Sequence, residues 1–179
     1  MTRHAWRRDR TAALIRKASL DAAAFVPGPS FHYLTGLDFP LMERPTLLFV
    51  TTGGGIVAIM PELERLKWSS AFPDAETFYW QDSDGFEDAF AAATRALGAA
   101  AVGVEGGRMR MFEYEALRRH MGNGDVRNAD AALQALRIAK DEDEIASLSR
   151  AIEISELALG ETLEEGSAPA LPSAPLRRC

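Results

Sequence analysis

The sequence predicts an α/β fold, a three-layer α/β/α sandwich built on a mixed sheet. Two apolar runs, residues 46 to 51 and 55 to 60, surround Gly53-Gly54-Gly55 and read as an antiparallel hairpin. Beyond them, short apolar runs alternate with helical patterns, as parallel strands joined by crossover helices do. The two patterns in one chain call for a mixed sheet with helices on its faces. A length of 179 residues, 47% of them apolar and 26% charged, is enough to build one ordinary core.

Residues 6 to 19 read as an amphipathic helix, with Trp6, Ala13, Leu14 and Ala18 near one face. Asp21 to Val26 is a strand that ends in the turn Pro27-Gly28-Pro29. Ser30 is placed to cap a helical turn through Tyr33, and Gly36 to end it. After the hairpin, Pro61 starts a helix over Glu62 to Ala71, with Leu63, Leu66 and Trp68 inward or partly inward. Glu76 to Trp80 is a strand. Asp84 to Leu97 is a helix with Phe86, Phe90 and Leu97 on one side, closed by Gly98. Ala101 to Glu105 is a strand, Met111 to Met121 a helix, Asp125 to Asn128 a strand, and Ala129 to Leu136 a helical turn.

A long helix comes next. Asp141 can cap it with Glu144 as reciprocal partner, and Glu142, Asp143 and Glu144 suit the positive end of its dipole. Ile145, Leu148, Ile152, Leu159 and Leu163 form an apolar stripe, widened by Ile154 and Leu157. The expected organisation is a domain over 1–136, a linker helix over 137–165 and a Pro-rich disordered tail over 166–179.

Composition excludes several classes. No run of about 18 apolar residues spans a membrane. The basic N-terminus lacks a signal core, so the expected compartment is the cytoplasm. The single cysteine, Cys179, permits no internal disulfide. Residues 11 to 166 hold 14 basic and 25 acidic side chains, a balance of −11 that repels phosphate backbones and argues against nucleic acid. Gly53-Gly54-Gly55-Ile56-Val57-Ala58 fits a dinucleotide pattern, but no helix begins at the glycines. Ser30 and His32 are close in sequence without forming a triad.

Two segments carry a resemblance. Leu136-Arg137-Ile138-Ala139-Lys140, then Glu144-Ile145 and Ala151-Ile152, resembles the linker between the two domains of the creatinase / prolidase / aminopeptidase P family. Tyr33-Leu34-Thr35-Gly36, followed by a loop with Glu43-Arg44-Pro45 before a strand, looks like that family's N-terminal motif. Their order makes the resemblance cover about residues 7 to 165. It implies a ribonuclease-H-like N-terminal domain of an Xaa-Pro peptidase or creatinase-like hydrolase.

The family's dinuclear metal ligands, two Asp, one His and two Glu, belong to a catalytic domain not found in this sequence. The expectation is therefore no catalytic residue, no metal and no cofactor in this chain, and no hydrolysis by it alone. A truncated or frameshifted product serving oligomerisation is one reading; a stand-alone α/β interaction or small-molecule-binding domain is the other. A ribonuclease-H-like nuclease is disfavoured by the acidic body. The expected partners are a second copy, as a dimer, or a catalytic domain, with neither nucleic acid nor membrane. In family dimers the 33–45 loop reaches the neighbouring active site, which implies substrate contacts in trans by Phe39, Arg44 and Glu43. The alternative of nearly equal weight is that Arg44 pairs with Glu43 or another surface acid. His4, His32 and His120 form no ligand spacing, and His32 is expected to be packed and hydrogen-bonded.

Overall fold

Helix α1 (Arg3–Lys17) starts where the Thr2 hydroxyl accepts a hydrogen bond from the Ala5 amide at 3.2 Å. In the computed structural model, which describes residues 2–165, its buried face is Arg7, Thr11, Ala12 and Ile15. This face is rotated from the expected one. Ala13 is exposed, and Trp6 stands outward with the Arg10 guanidinium 5.0 Å from its ring. Arg7 can sit on the inner face because its guanidinium lies over the Tyr33 ring at 3.8 Å and donates to the Tyr33 carbonyl at 3.1 Å.

Strand β1 (Ala22–Phe25) is wholly buried, as a central strand covered on both faces must be. Helix α2 (Pro29–Thr35) follows, with Pro29 in its first turn. Its N-cap is Gly28, without a side-chain cap, so the expected capping by Ser30 does not occur. Gly36 ends it in the left-handed region, φ 75°, and its amide donates to the His32 carbonyl at 2.7 Å. His32 is exposed rather than packed, although Nδ1 lies 3.3 Å from the Leu37 carbonyl.

Strands β2 (Leu47–Thr51) and β3 (Ile56–Pro61) form the hairpin, pairing Leu47 with Ile59 and Val50 with Ile56. A short 3₁₀ turn, Glu62–Glu64, leads to α3 (Arg65–Ala71). Trp68 is fully buried, but Leu63 and Leu66 are 77% and 80% exposed. The 3₁₀ start breaks the expected single helix, and only one face of the short α3 meets the core. Then come β4 (Glu76–Trp80), α4 (Glu87–Leu97), β5 (Ala101–Val104), α5 (Met111–His120) and β6 (Asp125–Asn128). Two four-residue helices close the series, α6 (Asp130–Leu133) and α7 (Ala135–Ile138).

The six strands lie in the order β4-β3-β2-β1-β5-β6. β1 runs antiparallel to β2 and parallel to β5. β3 and β4, like β5 and β6, are parallel pairs. Alternation along each strand sorts side chains into two cores. Ala23, Phe25, Leu48, Val50, Ala58 and Met60 face α1, α2 and α3, with Leu133 and Leu136 on the same side. Ala22, Ala24, Leu47, Phe49, Val57 and Ile59 face α4 and α5. This is the three-layer α/β/α sandwich on a mixed sheet.

Among the described residues, those up to Ile138 form one compact unit and those from Ala139 another. In the second, α8 (Glu142–Glu165) is a 24-residue helix with the expected capping box. The Asp141 amide donates to Glu144 Oε2 at 2.9 Å, and the Glu144 amide to Asp141 Oδ1 at 2.8 Å. Its stripe of Ile145, Leu148, Ile152, Leu159 and Leu163 is exposed, as are Ile154 and Leu157. The tail expected to be disordered, with Cys179, lies outside the described residues.

Candidate functional site: the loop around Arg44

The segment between α2 and β2 is irregular, yet it is held along its length. The Leu37 amide donates to Thr35 Oγ1 at 3.0 Å. Phe39, expected as a substrate contact, turns inward and is 4% exposed. Its ring meets Phe31 edge-on at 5.6 Å, and Lys67 Nζ stands 4.4 Å from its centroid while donating to the Asp38 carbonyl. Phe39 thus anchors the loop in the core. The large apolar side chains that the loop presents outward are Leu41 and Met42, the latter 57% exposed.

Arg44 forks onto Asp82, with Nε 3.0 and 3.1 Å from its two oxygens and Nη2 at 2.6 Å; Nη1 reaches Glu43 at 3.2 Å. The pairing with Glu43 or another acid, the alternative reading of the sequence, is the geometry found. These hydrogen bonds to Asp82, with its charge, raise the Arg44 pKa, and the same hydrogen bonds from Arg44 lower that of Asp82. Arg44, Asp82, Leu63, Trp80 and Gln81 line an open cleft of about 310 Å³. Indole Nε1 of Trp80 donates to the Pro45 carbonyl at 3.1 Å, fixing the end of the loop beside that cleft.

A second anchor comes from the N-cap of α5, far away in sequence. Arg110 donates to the carbonyls of Met42 and, at 3.4 Å, Arg44. Its guanidinium pairs with Glu113 at 2.5 Å, and Glu113 Oε2 accepts from the Arg110 amide at 3.0 Å. The Glu113 side chain is fully buried. Sequence reading missed Arg110, Glu113 and Asp82. A Glu three residues after a helix start was the local signal available for Glu113; nothing local pointed to the carbonyls that Arg110 binds.

Another polar cluster lies beyond the C-terminal ends of β1, β5 and β6, where open α/β sheets commonly hold ligands. Glu105 is the centre. Burial pushes its carboxyl pKa up, against a hydrogen bond from Ser30 and the positive charges of Arg137 and Arg108. Glu105 Oε2 is buried and has no hydrogen-bond partner among the described residues. A carboxyl whose folded pKa is raised binds more protons folded than unfolded, so stability falls as pH rises from about 4.3 through the raised value. Glu105→Gln is therefore expected to be more stable than the wild type at pH 7.5 and to lose most of that gain at pH 4. Urea unfolding at the two pH values measures it; a variant less stable at pH 7.5 would show that the ionised carboxylate is favourable there.

Among the described residues, no group of three or more His, Cys, Asp or Glu is arranged to hold a metal. His4 Nδ1 lies 3.1 Å from the Tyr33 carbonyl, and His120 Nε2 is 2.6 Å from Glu87, so the histidines are separately engaged. No described helix is long and apolar enough to cross a membrane.

Residues 7–139 match the family model of the Creatinase/Prolidase N-terminal domain, well over half of the chain. The chain belongs to this family. Among solved structures, this creatinase/prolidase N-terminal domain is similar to a prolidase from Thermococcus sibiricus, with TM-score 0.80 and 23% identity over 92% of this chain and 45% of that one. It is also similar to dipeptidase PepE from Mycobacterium ulcerans, with TM-score 0.67 and 27% identity over 80% of this chain and 39% of that one. The creatinase/prolidase N-terminal domain of an X-Pro dipeptidase from Streptococcus pyogenes matches with TM-score 0.64 and 22% identity, over 73% of this chain and 98% of that one. At such identities the likeness to the prolidase and to the Streptococcus domain carries the fold alone. The chain spans less than half the length of the prolidase and of PepE. No curated protein matches it. Among the described residues, the His, Asp and Glu side chains do not fit a dinuclear metal centre.

Proposed function

We propose that this chain acts as a non-catalytic N-terminal domain of an Xaa-Pro dipeptidase or creatinase-like hydrolase, supporting self-association and presenting its 37–45 loop to a neighbouring active site. The observation that carries this reading is the loop itself. It has no regular structure, yet Phe39, Trp80 and Arg110 fix it, and Leu41, Met42 and Glu43 face outward. A loop held this firmly loses little entropy on contact. In this reading Arg44 positions the loop through Asp82, and Leu41, Met42 and Glu43 are the side chains that meet a partner. Helix α8 adds an exposed apolar stripe suited to a catalytic domain or a second copy.

Two measurements test the proposal. Sedimentation over a wide range of concentrations is expected to show a reversible dimer, weakened by Leu41→Asp with Met42→Asp. Incubation with Leu-Pro and manganese is expected to give no turnover. A strict monomer would remove the self-association, and hydrolysis that survives repurification would remove the non-catalytic role.

A further inference from the structure

Strand β4 is an outer strand of the sheet, hydrogen-bonded to β3 alone in the strand order. An edge strand leaves a row of backbone N–H and C=O groups unpaired, and folded proteins usually blunt it with a bulge, a proline, an inward charge or a covering segment. β4, Glu-Thr-Phe-Tyr-Trp, has no proline, and its pairing with β3 runs without a bulge from Glu76 to Trp80. Among the described residues, no backbone hydrogen bond from Glu76–Trp80 leads outside the sheet. Phe78 and Tyr79 are only half-buried.

The space beside this edge is a groove. Cavities of about 480 and 300 Å³ adjoin along it and share Arg65, Tyr79, Asp88 and Ala89. On one side Arg65 lies over the Tyr79 ring at 3.6 Å, held by Glu62 at 2.5 Å. On the other, α4 contributes Asp88, Ala89 and Ala92, small enough to leave room for an added strand. Arg65 is neutralised by Glu62. Three acids remain without a cationic partner among the described residues: Asp84 and Asp88 in the lining, and Glu76, exposed at the start of the strand itself.

We propose that β4 is a docking edge to which an extended, basic segment of a partner polypeptide adds as a seventh strand. Main-chain hydrogen bonds supply the attachment, and the acidic groove selects the charge. The same charges oppose pairing of β4 with β4 of a second copy. A two-fold axis at the new strand pair sets each groove's uncompensated acids beside its twin's.

The probe is a fluorescein-labelled peptide of alternating lysine and valine, with a glutamate/valine peptide of equal length as control. Fluorescence anisotropy with the full chain is expected to show saturable, salt-sensitive binding of the basic peptide only. Glu76→Lys with Asp88→Lys is expected to weaken it by about tenfold or more, with an unchanged melting profile. If that pair of changes disturbs folding, Glu76→Gln with Asp88→Asn provides the same comparison at smaller amplitude. Amide exchange should slow within Glu76–Trp80 when the peptide binds. The proposal fails if the basic peptide does not bind, if the charge variants bind it equally well, or if protection appears elsewhere. Protection of Glu76–Trp80 in the unliganded chain that grows with protein concentration would give the edge to a second copy instead, and would equally overturn it.

Discussion

Arg110→Ala is expected to destabilise the domain by about 3–5 kcal/mol, the range for stranding one member of a buried ion pair. Glu113 is fully buried, and its carboxylate is matched by the Arg110 guanidinium at 2.5 Å and the Arg110 amide at 3.0 Å. Without the guanidinium, a buried negative charge keeps one backbone donor. The same change frees the carbonyls of Met42 and Arg44, so the loop should loosen beyond the global loss of stability. Urea unfolding measures the first effect. Amide exchange or limited proteolysis at residues 40–45, under conditions where the domain stays folded, measures the second. A loss below about 1 kcal/mol, in the range of surface pairs, would mean that Glu113 finds water or another partner.

Trp68→Ala is expected to cost a similar amount, about 3–5 kcal/mol, by a different route. The indole is fully buried, stacked on Phe72 at 4.5 Å and tilted against Phe31 at 6.2 Å. Its Nε1 donates to Thr77 Oγ1 at 2.8 Å, tying α3 to β4. Truncation leaves a cavity among rings too large to close over it. Trp68→Phe keeps most of the volume and loses chiefly the hydrogen bond, so it should cost clearly less. Urea unfolding followed by far-ultraviolet circular dichroism compares the two, since the substitution also removes a fluorophore. Equal losses for both variants would mean that the Thr77 contact outweighs the packing.

The two effects differ in how legible they were. A tryptophan at 68 in a helical pattern already pointed inward. Arg110 and Glu113 were not singled out, because the carbonyls that Arg110 binds belong to a loop more than sixty residues earlier in the chain. Leu63 and Leu66 show the reverse error. Hydrophobic spacing put them inward or partly inward, and a 3₁₀ turn left them outside.

Local chemistry, read from the sequence alone, determined the elements whose causes are local. The hairpin at Gly53–Gly55, the helix stop at Gly36, the strand at Glu76–Trp80 and the Asp141–Glu144 capping box each arise within a few residues. Two segments of sequence were also enough to indicate the family that the match over residues 7–139 establishes. Tertiary structure alone decided the rest. It rotated the buried face of α1 to admit Arg7, drew Phe39 into the core, gave Arg44 to Asp82 and left β4 at the edge of the sheet. The physical reason is reach. Asp82 lies 38 residues from Arg44, and Tyr33 lies 26 from Arg7. Periodicity reports which side of an element is apolar, whereas a charge or an aromatic ring settles where the folded chain brings it a partner.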